Sequence, residues 1–143
     1  MVSATSTDES TVTIVKIDGE SDLLRVRSAL RGQAQQSGLG LTAATKLVTA
    51  GSELARNIFR YATGGEGVVT IEPTRDGGRS GVRAVFADHG PGIVDLDSAM
   101  RDGFSTAGSL GLGLPGSRRL VDEFDVDSVP GRGTTVVIVQ WDR

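Results

Sequence analysis

Residues 41–63 read LTAATKLVTAGSELARNIFRYAT and predict a long helix around which the rest of the chain packs. Their apolar side chains recur at spacings of three, four and seven, which is the period of a helix with one buried face. These apolar positions are Leu47, Val48, Leu54, Ala55, Ile58 and Phe59. Thr42 is expected to cap the start of the helix, and Gly64-Gly65 to end it. Glu53 and Asn57 lie one turn apart beside this apolar stripe, so they point the same way.

Strands and shorter helices are predicted on both sides of the long helix. Alternating apolar residues predict strands over 12–17, 68–71, 82–87, 126–129 and 134–141. Helical spacing predicts further helices over 21–36, 95–101 and 114–124, and a polar turn is expected over 73–81. Because this order includes adjacent strand pairs, it predicts an α+β fold in which a mixed sheet carries helices on one face.

The composition is that of an ordinary globular protein and excludes several classes of function. With 143 residues the chain has the size of one domain, expected over 12–143 after a polar, flexible tail at 1–11. Its 13 arginines are spread along the chain and its net charge is −3, which argues against a nucleic-acid groove. No apolar run approaches the roughly 20 residues that span a membrane, and the N-terminus is unlike a signal peptide. The absence of cysteine fits a reducing compartment, so a cytoplasmic protein is expected.

The pair Glu53 and Asn57 offers a base and a metal ligand at the spacing of one helical turn. The amide oxygen of Asn57 is a hard ligand for Mg²⁺, which takes its remaining oxygens from water and phosphates. The Glu53 carboxylate can accept a proton from a hydroxyl group or a water molecule beside it. A random pair of this kind would simply lie on a solvated helix face, and that alternative stays open at this point.

A second polar segment, residues 88–92, reads DHGPG and directly follows a predicted strand. Asp88 is suited to accept a hydrogen bond from the exocyclic amino group of adenine, and Gly90 and Gly92 allow the backbone to lie close to the ring. The alternative is an ordinary turn, since Asp, Gly and Pro favour turns without any ligand. His89 is the only histidine and has no metal-binding companion, so it is expected to face solvent.

The third segment, residues 108–116, precedes a predicted helix and reads GSLGLGLPG. Residues 111–116 fit the G-x-G-x-x-G pattern, but no strand precedes them, so a dinucleotide-binding fold is rejected. Neither lysine of the chain follows a glycine, so a Walker-type loop is excluded as well. An anion site built from backbone N–H groups remains, and its candidate residues are Ser109, Leu110, Gly111, Leu112 and Gly113. Thr134, in the turn into the last strand, would contact the base only if the sheet brings it beside Asp88.

These segments, in this order, resemble the motifs of the GHKL superfamily of ATP-binding domains, which includes gyrase, MutL and the sensor histidine kinases. The resemblance covers about residues 12–141, with an N-box at 53–57, glycine boxes at 88–92 and 108–113, and a terminal Gly-Thr-Thr at 133–135. Within the superfamily, residues 52–57, 78–81 and 109–116 look most like the small serine kinases of bacterial partner-switching systems. The resemblance implies the Bergerat fold, an ATP-binding sandwich of helices on a mixed sheet.

The resemblance also implies roles for the matching residues. Asn57 would hold Mg²⁺ against the triphosphate, Asp88 and Gly92 would contact adenine, and the glycine-rich segment would cradle phosphate. Glu53 would be the base that deprotonates a serine or threonine of a protein substrate. The implied cofactors are ATP or ADP and Mg²⁺. The implied partners are STAS-domain antagonist and scaffold proteins as substrates, and a metal-dependent serine/threonine phosphatase that the released kinase activates.

Two alternatives within the same fold stay open. An anti-sigma-factor kinase shares the chemistry but binds a sigma factor directly, and the ATP motifs do not distinguish it. A non-catalytic nucleotide-binding switch is disfavoured, because a pure binder has less need of both Glu53 and Asn57. A sensor-kinase domain would need a helical phosphoacceptor domain and a gyrase-type ATPase a transducer domain, for which no room is expected in the chain.

Overall fold

In the computed structural model the described residues are 12–62, 66–92, 100 and 114–142, and they form five strands and three helices. In chain order these are β1 (Thr13–Ile17), α1 (Ser21–Gln36), α2 (Leu41–Tyr61), β2 (Gly67–Asp76), β3 (Arg79–Asp88), α3 (Leu114–Leu120), β4 (Glu123–Val129) and β5 (Gly133–Trp141). The expected N-terminal tail and the short helix over 95–101 lie outside the described residues, except for Met100. None of the helices in these ranges is long and apolar enough to cross a membrane.

The five strands form one sheet in the order β1-β2-β3-β5-β4. The α+β class is confirmed, but the described strands all pair antiparallel rather than in the mixed arrangement expected from the sequence. The β2–β3 and β4–β5 pairs are hairpins, which can only be antiparallel. The β1–β2 and β3–β5 pairs join strands that are far apart in the chain. The local sequence pattern therefore does not determine whether these pairs are parallel or antiparallel.

One face of the sheet carries the helices and the core. On β3 the side chains of Val82, Ala84 and Phe86 are buried, while the residues between them are only half-buried. Val69 and Ile71 occupy the same face of β2. These side chains belong to one apolar cluster with the buried residues of α1, α2 and α3, so all three helices pack on this face.

Helix α2 is fixed over the centre of the sheet by a close contact at Gly51. A Cβ at this position would overlap the Leu30 side chain of α1 and come within 3.3 Å of Phe86 Cζ on β3. Leu30 and Phe86 are 0% and 2% exposed. The contact therefore sets the height of α2 above the sheet just before the polar pair at Glu53 and Asn57.

The start of α1 is held by the Asp22 carboxylate. Its Oδ2 atom accepts a hydrogen bond from the backbone N–H of Asp18 at 3.1 Å, and its Oδ1 atom accepts one from Arg25 Nη1 at 3.0 Å. The backbone hydrogen bond, followed by the one from Arg25, lowers the pKa of Asp22 below its ordinary value. This carboxylate thus links the end of β1 to the first turn of α1.

The β2–β3 hairpin is longer than the sequence predicts. A polar turn is expected over 73–81, but both strands continue into this stretch and only Gly77-Gly78 remain as the turn. Among the described residues, the pairing of β1 with β2 begins at Thr13 opposite Ile71, so the described strand partner of Pro73 is Val82 on β3. Proline is tolerated where a strand runs along an edge, because no second neighbour requires its missing N–H.

Two helix boundaries also differ from the sequence expectation. The helix expected over 114–124 ends four residues earlier, and Phe124 belongs to β4. Phe124 and Val126 alternate along this edge strand and pack against the core; an apolar pattern this short fits either period. Helix α2 begins after Gly40 with no side-chain hydrogen bond at its cap, so Thr42 does not cap it.

Candidate functional site

Glu53 and Asn57 lie beside the buried stripe of α2. Both residues are half-buried, whereas Arg56 between them is exposed. The Glu53 carboxylate forms a loose ion pair with Arg56, with 3.7 Å between Oε1 and Nη1, and 34% of its side chain is exposed. The Oδ1 atom of Asn57 is buried. Neither member of the pair therefore lies on a fully solvated helix face.

The second half of α2 is seated on the end of the sheet through Ile58. A Cβ at Gly67 would come within 2.7 Å of Ile58 Cγ2 and 2.6 Å of the Ala87 carbonyl oxygen. Gly67 is the sheet partner of Asp88. Because Ile58 directly follows Asn57, this contact brings the polar pair of α2 and the carboxylate at the end of β3 to the same end of the molecule.

Asp88 is the last residue of β3 and belongs to the helix-bearing face. Side chains alternate along a strand, and Phe86, two positions earlier, is buried on that face. The Oδ1 atom of Asp88 accepts a hydrogen bond from the backbone N–H of Gly90 at 2.8 Å. One carboxylate oxygen is thereby fixed within the loop, and Oδ2 is the oxygen that can accept a hydrogen bond from a ligand.

Thr134 lies beside Asp88 in the sheet, which is the condition stated above for a contact with the base. It is the sheet partner of Asp88 on β5, and Val136, two positions later, is buried on the helix-bearing face. Its hydroxyl group shares a hydrogen bond with Ser128 of β4, with 2.8 Å between the two oxygens. Ser128 was not predicted from the sequence as a site residue; its position opposite Thr134 in the last hairpin is the signal that could have indicated it.

The two glycines of the 88–92 loop have partners within the protein. Gly90 is buried and holds the Asp88 carboxylate through its N–H. Gly92 has a φ of 76°, and a Cβ there would overlap the Val129 carbonyl oxygen. Packing of the loop therefore requires glycine at position 92. The close approach to a base that the sequence suggests would be a second reason. His89 is exposed, as expected.

Of the glycine-rich segment 108–116, the structure describes only residues 114–116. Ser109, Leu110, Gly111, Leu112 and Gly113 lie outside the described residues, so their phosphate-binding role stays a prediction. The described chain resumes at Leu114, which is 2% exposed and begins α3. Helix α3 packs against α2. The segment is thus joined to an element that contacts the helix bearing Glu53 and Asn57.

The oxygen atoms of the site fit a magnesium ion held mainly by a nucleotide. Asn57 contributes an amide oxygen and Glu53 a carboxylate one turn away, both hard donors. Within the described ranges, no group of three or more His, Cys, Asp or Glu side chains could hold a metal ion alone. Mg²⁺ commonly binds one or two protein oxygens together with phosphates, so this sparse donor set is compatible with it.

Known proteins similar to this chain agree with these features. Residues 42–143 match the family described as histidine kinase-, DNA gyrase B- and HSP90-like ATPases. The serine/threonine-protein kinase RsbT of Bacillus subtilis is 45% identical over 129 residues, which are 90% of this chain and 96% of that protein. An anti-sigma F factor of Thermoanaerobacter sp. (strain X514) is 31% identical over 78 residues, 52% of this chain and 53% of that protein.

A solved structure with low sequence identity supports the fold. A chain in the crystal structure of the SiaB–SiaC complex from Pseudomonas aeruginosa superimposes with a TM-score of 0.55 at 14% identity. The superposition covers 98% of this chain and 96% of that one. At this identity the similarity concerns the arrangement of helices and strands alone.

Proposed function

Because the chain belongs to the family of histidine kinase-, DNA gyrase B- and HSP90-like ATPases, we propose that it is an ATP-dependent serine/threonine protein kinase of a bacterial partner-switching module. The similarity to RsbT over nearly the whole of both chains supports the kinase activity. The observation that carries the proposal is the placement of Glu53 and Asn57 at the end of the sheet where Asp88 lies, through the contact of Ile58 with Gly67.

The adenine base is proposed to bind at the end of β3. Asp88 Oδ2 accepts a hydrogen bond from the exocyclic amino group, while the Gly90 N–H holds Oδ1 at 2.8 Å. Thr134 lies beside Asp88 in the sheet, and its hydroxyl group offers a second polar contact to the base. The triphosphate extends towards α2 and residues 109–113, whose backbone N–H groups bind phosphate oxygens.

Asn57 is proposed to be the protein ligand of Mg²⁺, through Oδ1. When bound, the ion neutralises the charge on the phosphate oxygens during phosphoryl transfer. Holding the nucleotide in one orientation is the other part of the catalysis, because phosphoryl transfer depends on positioning more than on covalent steps. The contacts of α2 at Gly51 and Ile58 supply that rigidity.

Glu53 is proposed to be the general base. Its carboxylate takes the proton of a substrate serine or threonine hydroxyl as that oxygen attacks the γ-phosphorus. The bond from the γ-phosphorus to the bridging oxygen breaks, and ADP leaves with that electron pair. With 34% of its side chain exposed, Glu53 is reachable by a protein substrate from the surface.

The substrates are proposed to be STAS-domain antagonist and scaffold proteins of the cytoplasm. The released kinase would then bind and activate a metal-dependent serine/threonine phosphatase. Both proposals rest on the family resemblance rather than on the geometry of the site. The second candidate is direct binding of a sigma factor by a kinase of the same fold, which the 31% identity to an anti-sigma F factor favours.

Transfer of labelled γ-phosphate from ATP to a purified STAS-domain protein tests the proposal. The wild type is expected to transfer the label to a serine or threonine of the STAS-domain protein. The Glu53→Gln variant is expected to transfer it about 10²–10⁴-fold more slowly, with unchanged ATP affinity. Glu20→Gln removes an exposed carboxylate before α1 and serves as the control. A loss of ATP affinity in Glu53→Gln as large as its loss of transfer rate would contradict the assignment of Glu53 as the base. A wild type that labels no STAS-domain protein but retains a sigma factor would favour the second candidate.

A further inference from the structure

The loop at 88–92 contacts the turn at 129–133, between β4 and β5, at both of its ends and through one hydrogen bond between them. We propose that this turn, here called the brace turn, holds the Asp88 carboxylate in position for the base, and that Gly133 and Gly92 are positioning residues for adenine recognition. The inference rests on the adenine contact of Asp88 in the proposed function. It adds a positioning role for Gly133, which has no proposed contact with the nucleotide, and a second role for Gly92 besides the adenine contact that the resemblance implies.

The first contact joins Gly133 to the backbone of Asp88. Gly133 has a φ of 133°, a region that only glycine adopts readily. A Cβ at this position would overlap the carbonyl oxygen of Asp88 and lie 2.9 Å from His89 Cα and 3.0 Å from Asp88 C. All three atoms belong to the backbone, so no side-chain rotation relieves the overlap. Any side chain at 133 must therefore displace either the brace turn or Asp88.

The second contact joins Gly92 to the other end of the brace turn. A Cβ at Gly92 would overlap the Val129 carbonyl oxygen and lie 2.8 Å from Val129 C and 3.0 Å from Pro130 Cα. Between the two glycine contacts, the N–H of Gly131 donates a hydrogen bond to the Pro91 carbonyl oxygen at 2.7 Å. The loop and the brace turn are thus joined at both ends and in the middle.

These contacts determine where the Asp88 carboxylate lies. Its Oδ1 atom is bonded to the Gly90 N–H, in the centre of the braced loop. A shift of the loop against the sheet therefore moves the carboxylate that is to meet the base. A hydrogen bond weakens when its acceptor moves away from the preferred distance and angle, so a displaced carboxylate binds the base less well. The brace turn also leads directly into Thr134, which follows Gly133 in the chain and pairs with Asp88.

Affinities for ATP and for tripolyphosphate, which has no base, separate positioning from a general loss of structure. Gly133→Ala is expected to weaken ATP binding by about 10-fold or more, while leaving tripolyphosphate binding unchanged. In the Asp88→Asn background the same substitution is expected to have no further effect on ATP, since both changes act on one hydrogen bond. Gly92→Ala is expected to behave in the same way from the opposite side of the contact.

Gly77→Ala is the matched control. Gly77 also has a positive φ, 61°, in a tight turn, but a Cβ there meets nothing within 4 Å. The substitution therefore introduces backbone strain like that expected at Gly92, whose φ is 76°, but far from Asp88 and without an overlap, and ATP affinity is expected to stay at the wild-type value. Denaturant unfolding of each variant verifies that the binding measurements concern folded protein.

A measurement on the wild type keeps the test valid if the glycine variants do not fold. Base binding and bracing are reciprocal, so ATP should slow hydrogen exchange at the Gly131 amide, and tripolyphosphate should not. The Asp142 amide, which donates to the Ser80 carbonyl oxygen at 2.8 Å at the other end of the sheet, is the reference. Equal slowing at both amides, or by both ligands, would overturn the brace.

The variants overturn the inference in three further ways. Wild-type ATP affinity in folded Gly133→Ala and Gly92→Ala proteins would overturn it. So would equal losses for ATP and tripolyphosphate, or additive losses in combination with Asp88→Asn. If Asp88→Asn itself leaves ATP affinity unchanged, the adenine contact of the proposed function is wrong as well. If Asp88→Asn weakens binding and the glycine variants do not, only the brace is wrong.

Discussion

Replacing Asp88 by asparagine tests adenine recognition, because it exchanges one carboxylate oxygen for an NH₂ group and removes the negative charge with almost no change in size. The asparagine Oδ1 atom can still accept the Gly90 N–H, which lies 2.8 Å from the aspartate Oδ1. The substitution then turns its NH₂ group towards the adenine amino group, so that two donors face each other. The loop is expected to keep its shape, and the hydrogen bond to the base is expected to be lost.

The size of the effect follows from the type of hydrogen bond. A hydrogen bond to a charged group contributes about 1.5–3 kcal/mol, which corresponds to a roughly 10- to 150-fold weaker ATP affinity. Discrimination against GTP should narrow at the same time, because the guanine O6 atom can accept from the new NH₂ group. Because Asp88 is half-buried, water replaces the lost hydrogen bond only in part, and the loss of affinity is expected to be measurable.

Calorimetric titration with ATP and GTP measures both effects. Asp76→Asn, at the end of β2 with 66% of its side chain exposed, makes the same chemical change away from the site and should leave both affinities unaltered. Thermal unfolding without nucleotide verifies that Asp88→Asn remains folded. A folded Asp88→Asn protein with wild-type affinity for ATP would refute the assignment of the base site to the end of β3.

Three further substitutions test the metal ligand, the core and the carboxylate in the first turn of α1. Asn57→Ala should abolish the Mg²⁺ dependence of ATP binding in titrations with and without the ion, without unfolding the protein; an unchanged dependence would remove Asn57 as the ligand. Phe86→Ala should lower the free energy of unfolding in urea by about 3–5 kcal/mol, because the side chain is 2% exposed; a loss below about 1 kcal/mol would contradict its place in the core. Because hydrogen bonds from Asp18 and Arg25 lower the pKa of Asp22, this carboxylate stabilises the fold above the ordinary aspartate pKa of about 3.9, and the effect is lost as pH falls through the lower folded value. Asp22→Asn should therefore be less stable than the wild type at neutral pH, and in acid unfolding curves the difference should shrink below about pH 4 and vanish only below the lowered pKa of folded Asp22; a constant difference would contradict the linkage.

The elements with a long, regular period were predicted most accurately from the sequence. The helix expected over 21–36 is α1 to the residue, and the one expected from Leu41 begins there. Both carry buried residues at helical spacing over several turns, which no strand pattern matches. The position of Asp88 at the end of a strand followed in the same way from the alternation of β3.

The predictions that failed concern short segments whose state depends on neighbours elsewhere in the chain. Pro73 was assigned to a turn, yet it lies within β2, where it pairs with Val82 of β3 and lies beyond the described pairs of β1 with β2. Phe124 was assigned to a helix, since two or three apolar residues fit either period. In both cases the strand partner decides the outcome, and the local sequence does not contain it.

The candidate site was predictable as a set of residue types but not as a set of contacts. The chemistry of Glu53, Asn57 and Asp88 follows from their functional groups. What holds them together does not, because Gly67 and Gly133 read as ordinary glycines until the atoms opposite them are known. A glycine required by a non-local contact has the same local signature as one required by a turn.

The central claim is that one nucleotide site joins α2 to the end of the sheet, and a crystal structure with Mg²⁺ and a non-hydrolysable ATP analogue tests it most directly. We expect the adenine amino nitrogen about 3 Å from Asp88 Oδ2, and the metal ion on Asn57 Oδ1, with Glu53 facing the γ-phosphate. A nucleotide bound with its base away from Asp88, or with its phosphates away from α2, would contradict it.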